Sequence, residues 1–434
     1  MNLALRLAYG ATGQLARAVA AIAPAGEAKW RRSLSARRGI GRRYTAWSRH
    51  RDPHRPLLWL HAPSVGEGLQ ARVVIELVRQ RRPDIQLAYT FFSPSAESFA
   101  RQLPVDFTDY LPFDTRADAD TVLRALRPTA LVFSKLDVWP MLVGEASQRG
   151  VQLGLISGTV SDVSSRSGFV ATALLHECYE ALDRVGAASE ADAERIIELG
   201  ADRARVEVTG DTRFDQVWQR ARNVNRASSA LAPLVARRPT LVAGSTWPAD
   251  EEVLLEAWPA IRRDIPDARL VIAPHEPTPE HLRPIETWAA TEKLSLARVS
   301  TPESSNADVV LVDRVGVLGD LYSIATAAFV GGGFHSAGLH SVLEPAAYGV
   351  PVAFGPRHSN SREAIMLARS RGADAVVTVD ETIEVLEQWL GDATAREHAG
   401  SNARAFVQRG LGAGERSYDL VMRLLEPATR GSAT

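Results

Sequence analysis

LLWLHAPSVGEG, residues 57–68, joins the apolar run Leu57–Leu60 to a turn in which Glu67 stands between Gly66 and Gly68. A short apolar run bounded by turn residues reads as a buried strand of a parallel sheet, and a helical pattern is expected from Gly68 to Gln80. Glu67 therefore sits at the carboxyl end of a core strand, where open α/β sheets bind their ligands. A carboxylate is also favoured electrostatically near a helix start, so a purely structural role stands beside the functional one.

The same alternation continues outward from this stretch. Strands are expected at 85–90, 130–133, 152–156, 184–187 and 206–208, with helices at 95–103, 117–126, 141–149 and 191–199. After the polar stretch 223–238 a second series follows, with strands at 240–243, 269–272, 309–312, 328–330 and 352–354, helices at 250–261 and 318–325, and closing helices to about Leu425. Strands alternating with helices give parallel sheets covered on both faces. The expected fold is α/β, two Rossmann-like domains with a cleft between them. The domains span 51–225 and 226–434 behind an N-terminal segment 1–50, and 434 residues suit two domains.

Composition narrows the function classes. A net charge of -1 gives no overall case for nucleic acid binding, yet between Met1 and Arg55 twelve Lys or Arg stand against Glu27 and Asp52. The single cysteine, Cys178, excludes an internal disulfide and a cysteine-rich metal site, and reads as a packed apolar residue. Arg6 and Arg17 interrupt the first apolar segment, so no spanning helix is expected. On a helical wheel Leu3, Leu7, Leu15, Val19 and Ile22 share one face and Arg6 and Arg17 another. Followed by KWRRSLSARRGIGRR, this amphipathic helix could lie on an anionic membrane surface or pack on the body. A cleaved secretory signal fits less well, because the charges fall inside the apolar region.

Several motifs were weighed for chemistry. YGATGQLAR, residues 9–17, lacks the preceding strand and the later acid of a dinucleotide fold. GGGFHSAG, residues 331–338, follows a strand, and its glycines would allow a phosphate to approach backbone N–H groups. Ser341 and Glu344 have the spacing of a capping box, while a carboxylate there could equally accept from ribose hydroxyls. HECYE, residues 176–180, lacks the second histidine of a zincin helix, and neither a G-x-S-x-G elbow nor a P-loop occurs. Asp137, in SKLDVWP, follows the strand 130–133, so two acids at strand ends suggest a general base with a supporting partner.

HAPSVGEG, FFSPSAES, YLPFDT, LDVWP, GDTRFD, AGSTWPADEE, IAPHEP and LHSVLEPAAYGVPVAFGP, in this order, resemble the series found in the 3-deoxy-D-manno-octulosonic acid (Kdo) transferases of lipopolysaccharide assembly. The resemblance covers roughly residues 50–410. It implies a GT-B type inverting glycosyltransferase that moves Kdo from CMP-Kdo to a lipid A precursor (lipid IVA-like) at the cytoplasmic face of the inner membrane, with no metal in catalysis. By motif position Glu67 matches the proton acceptor. Asp137 matches an acid that is usually Glu, and Arg213 a base that is usually Lys, both assigned to transition-state stabilisation. The implied CMP-binding positions are Pro274 and His275, then Val315, Gly316 and Val317, then Ser341, Val342, Leu343 and Glu344. The chain departs from the family where Val317 replaces an acid and Ser341 an Asn. Two other readings stand beside this one: a GT-B enzyme using a UDP-sugar, and a non-catalytic membrane-bound relative.

Overall fold

The computed structural model describes residues 3–22, 28–135, 137–160, 169–235, 238–299 and 301–426. The chain forms two compact units, Met1–Gln216 with Leu411–Thr434, and Val217–Gly410.

The first unit is built on seven parallel strands: β1 Leu57–His61, β2 Gln86–Phe91, β3 Phe107–Tyr110, β4 Ala130–Ser134, β5 Gln152–Gly158, β6 Arg184–Ala187 and β7 Val206–Val208. They run in the order β3-β2-β1-β4-β5-β6-β7. Each pairing is parallel. The chain starts in the middle, winds outward to β3, then crosses back beside β1 to form β4. This reversal leaves a crevice at the carboxyl ends of β1 and β4, the switch point at which such sheets bind ligands. β1, β2 and β4 are buried along their whole length, which is why they read as unbroken apolar runs. Trp59, fully buried in β1, satisfies its one polar atom by donating Nε1–H to Thr90 Oγ1 at 2.9 Å.

The second unit is also built on seven parallel strands, β8 Thr240–Thr246, β9 Arg269–Pro274, β10 Leu296–Arg298, β11 Val309–Leu311, β12 Ala327–Val330, β13 Val352–Phe354 and β14 Ala373–Ala375. The order is β10-β11-β9-β8-β12-β13-β14, again with parallel pairings. Its switch point lies between β8 and β12. The core is Leu241, Ala243, Leu270, Ile272, Phe329 and the fully buried Trp258.

The strands β3, β10 and β14 were not expected from the sequence. All three are sheet edges, and FTDY, LAR and ADA carry little apolar signal. An edge strand has one neighbour and less to bury, so its pattern is weak. Boundaries differ as well: the first unit closes at Gln216 rather than 225, and the last helix, Ala413–Leu425, packs on the first sheet instead of ending the second domain. A methyl at Gly414 would come within 2.6 Å of Val73 Cγ1, and one at Gly154 within 2.5 Å of Leu424 Cδ1. Asp215 fixes the entry to this helix by accepting from the N–H groups of Gly412 at 2.8 Å and Gly414 at 3.0 Å.

The expected N-terminal helix is present as Leu3–Ile22, and YGATGQLAR lies inside it, which removes the dinucleotide turn. Tyr9 donates to Asp114 Oδ2 at 2.8 Å, Ala20 is buried, and Arg17 lies 3.6 Å from Asp118. Leu15, Val19 and, further on, Trp30 stay exposed. The helix thus packs on the body by one edge and keeps apolar side chains outward. No helix among the described residues is long and apolar enough to cross a membrane.

Candidate active site

Glu67 stands in the first turn of the helix Val65–Arg81, which begins three residues earlier than the sequence suggests. Ser64 occupies the cap position, but its hydroxyl donates to the Glu67 carboxylate and makes no capping bond. Lys135 reaches the other carboxylate oxygen, Nζ to Oε1 3.3 Å. It follows β4 directly with a left-handed φ of 68°, a conformation that costs a β-carbon residue about 1 kcal/mol or more. Its N–H is held by the Ile156 carbonyl at 2.9 Å, so the lysine is directed by the sheet itself. Burial pushes the Glu67 carboxyl up, but the Ser64 hydrogen bond and the Lys135 charge outweigh it, and the pKa lies below the usual value. Glu67 is therefore an anion through the neutral range.

Asp137 lies across the switch point, beyond β4. Its Oδ2 is 3.1 Å from His61 Nε2 and accepts from Trp139 Nε1 at 3.0 Å. His61, the fully buried last residue of β1, has Nδ1 2.9 Å from Thr90 Oγ1. A neutral ring with Nε2–H toward Asp137 and Nδ1 accepting the Thr90 hydroxyl satisfies this network, a tautomer assigned from the hydrogen bonds. Trp139 stacks on Phe92, ring centroids 5.2 Å apart, and Phe92 lies under the Arg37 guanidinium at 4.1 Å. Arg37 is itself buried, donating to the carbonyls of Leu111 at 2.8 Å and Phe92 at 3.0 Å. The basic N-terminal segment is thereby tied to the support of Asp137.

Arg213 opens the helix Arg213–Arg222, where Nε donates to Asp211 Oδ2 at 2.8 Å and Nη2 lies 2.6 Å from the same oxygen. The Gln70 amide donates to Asp211 Oδ1 at 3.0 Å, one turn beyond Glu67 on its own helix. Burial pushes Asp211 up, and the Arg213 charge more than reverses this, leaving it below the usual range. Glu67, Asp137 and Arg213 are thus each supported from the β1 turn and the helix that follows it.

In the second unit Pro274 ends β9, and His275 follows with its N–H on the Thr246 carbonyl at 2.9 Å. The ring of Trp247 stacks with that of His275, centroids 4.6 Å apart, and with that of His335, centroids 4.2 Å apart and planes within 3° of parallel. Trp247 Nε1 donates to His340 Nε2 at 3.3 Å, and His340 also contacts His275 at 4.6 Å. Burial, helped by His275, pushes the His340 pKa down to about 4, so its ring is a neutral acceptor. Val315 is exposed, Gly316 takes φ 91°, and Val317 caps the helix Leu318–Leu321. Arg220 donates to the Gly316 carbonyl at 3.2 Å and to Asp320 at 2.8 Å. Ser341 is exposed, whereas Val342 and Leu343 are buried. Burial pushes Glu344 up, only partly opposed by Arg220. All three sequence-assigned segments therefore converge, joined by the His275–His340 contact and by Arg220.

Two sequence readings fail here. Ser341 does not cap: the five-residue helix Leu343–Ala347 starts after Val342, without a side-chain cap. In the Gly331–Gly333 turn the N–H groups of Gly331 and Gly332, and that of the following Phe334, are taken up within the fold and not offered to a phosphate. Gly331 donates to Gly244, and Gly332 and Phe334 donate to Asp250 at 2.7 and 3.0 Å. The glycines are needed for backbone packing instead, since a methyl on Gly331 would lie 2.3 Å from the Ser245 carbonyl and one on Gly333 2.4 Å from Gly355 N. Lys135, His61, Trp247, His335 and His340 went unassigned, although each stands inside a quoted motif. Their signal is position at a strand end beside a switch point.

Residues 33–216 match the family model of the 3-deoxy-D-manno-octulosonic-acid transferases (kdotransferase), a span that holds Glu67, Asp137 and Arg213 and ends with the main segment of the first unit. A 3-deoxy-D-manno-octulosonic acid transferase of Haemophilus influenzae is 26% identical over 401 residues, 90% of this chain and 92% of that one. The enzyme of the same name from Chlamydophila psittaci is 27% identical over 360 residues, 82% and 80% of the two chains. The chain is similar to the Kdo transferases over most of its length. In fold, the chain is similar to UDP-GlcNAc 2-epimerase of Neisseria meningitidis, with TM-score 0.65, 13% identity, and coverage of 85% of this chain and 100% of that one. Two doubly wound seven-stranded sheets give it the make-up of a GT-B protein.

Proposed function

We propose that the protein is an inverting glycosyltransferase that moves Kdo from CMP-Kdo to a lipid A precursor. The observation that carries the proposal is Glu67, an ionised carboxylate at the switch point of the first sheet, inside the span that matches the Kdo transferase model. In this reading Glu67 takes the proton of the acceptor hydroxyl as that oxygen forms a bond to the anomeric carbon of Kdo, while the bond to CMP breaks on the opposite face. Lys135 and the Ser64 hydrogen bond keep the base ionised at the expense of some basicity. Asp137, oriented by His61 and Trp139, supplies negative charge toward a cationic sugar. Arg213 supplies positive charge toward the Kdo carboxylate or the leaving phosphate, so the reading calls on no metal.

The second unit is assigned the donor nucleotide. Glu344, a partly buried carboxylate whose pKa is raised, suits ribose hydroxyls, and the ring cluster at Trp247 suits a base or sugar face. Val317 has no polar side-chain atom, so its contact is assigned to backbone. Exposed Leu15, Val19 and Trp30 beside the basic segment support docking at the cytoplasmic face of the inner membrane. The proposal is tested by offering the protein CMP-Kdo or a UDP-sugar with the lipid A precursor and titrating CMP and UDP by calorimetry. Product from CMP-Kdo and tighter CMP binding are expected; product from a UDP-sugar would overturn the donor assignment.

A further inference from the structure

At the amino ends of β1 and β4, the opposite rim of the first sheet from Glu67, lies a cavity of about 410 Å³. It is lined by Arg51, His54, Arg55, Arg127 and Thr129, with no acidic residue among its lining. Arg51 is 9% exposed, and its Nε is wholly buried without a partner. Neither Arg51 nor Arg127 takes a side-chain hydrogen bond or ion pair among the described residues. Arg55 donates to the carbonyls of Asp84 and Pro83, Arg116 pairs with Glu145, and Arg124 and Arg149 share Asp120.

Burial, then repulsion from Arg127, pushes the Arg51 pKa down, and Asp52 offsets this only in part. The carboxylate of Asp52 is itself occupied by the His54 N–H at 2.9 Å. Thr129 Oγ1 accepts from Leu57 N–H at 3.3 Å, which leaves its hydroxyl proton directed elsewhere. A buried cation without a partner, a second unpaired cation across the cavity and a hydroxyl donor are complementary to one kind of ligand. Guanidinium groups bind tetrahedral oxyanions through paired N–H donors, and a dianion would relieve the repulsion between the two arginines.

We propose that this cavity is a binding site for a phosphate-class dianion, held by Arg51, Arg127 and the Thr129 hydroxyl. The site is independent of the transfer chemistry proposed above. Its anion could be a soluble phosphate or a lipid headgroup. The soluble source is favoured, because the exposed apolar residues Leu15 and Val19 belong to a helix that packs at Asp114 and Asp118, beyond the carboxyl end of β3.

The test uses the full chain with inorganic phosphate as the probe, followed by calorimetry and thermal unfolding. Phosphate should bind the wild type and raise its Tm. Arg51→Met, which keeps the aliphatic stem, should weaken binding about tenfold or more, while Arg51→Lys, keeping charge without the fork, should retain part of it. In phosphate-free buffer Arg51→Met should melt higher than the wild type, since it removes an unmatched buried cation. Phosphatidylglycerol vesicles separate the sources: unchanged vesicle binding by Arg51→Met supports a soluble ligand, and its loss together with phosphate binding supports a headgroup. Equal phosphate binding by wild type and Arg51→Met, or a lower Tm of Arg51→Met without phosphate, overturns the proposal.

Discussion

Each switch point of the molecule lies between the first strand of its sheet and the strand that crosses back beside it, yet the two differ in chemistry. Between β1 and β4 the rim is ionic: Glu67 with Ser64 and Lys135, Asp137 with His61 and Trp139, Arg213 with Asp211. Between β8 and β12 it is aromatic, a tryptophan stacked with two histidines over a turn fixed by Asp250. One sheet plan thus presents charge in one unit and flat ring surface in the other. The loops after the strands, rather than the strands, decide which.

That contrast can be broken at four points, beginning with the largest effect. Glu67→Gln should lower kcat about a thousandfold and leave CMP affinity unchanged by calorimetry, because an amide keeps the shape but cannot take a proton. Asp250→Ala should act on folding instead. It strands the N–H groups of Trp247, Gly332 and Phe334, and a loss of about 3 kcal/mol or more is expected in urea unfolding, with Glu67 chemistry intact in the folded fraction.

Trp247→Leu should weaken CMP binding about tenfold with little change in kcat at saturating donor, as expected if the ring cluster binds and does not react. Lys135→Met should give the smallest effect and the most diagnostic one. Lys135 holds the Glu67 pKa down, so its removal raises that pKa. The acidic limb of the kcat/KM profile, along which Glu67 becomes protonated, should then move to higher pH, and a shift to lower pH would contradict the pairing.

Legibility from sequence followed the same division. Central strands were readable because they are buried on both faces, and 184–187 and 352–354 agree with the structure residue for residue, as does 206–208 at the edge of the first sheet, where two valines carried the signal. The other three edge strands, β3, β10 and β14, were not, since half their side chains meet water. The last helix was misassigned because Leu420, Val421 and Leu424 give an apolar stripe without saying which sheet it covers. Glu67 stood out as an acid among glycines, whereas Lys135 looked like any surface lysine until its left-handed backbone placed it on Glu67. The glycines of 331–333 pointed to a ligand because they follow a strand, yet backbone packing also accounts for them.

The most direct measurement is mass spectrometry of a lipid A precursor incubated with CMP-Kdo and either the wild type or Glu67→Gln. The account expects the mass of one or more Kdo residues added by the wild type and none by the variant. An unmodified acceptor with the wild type, or equal addition by both proteins, would contradict it.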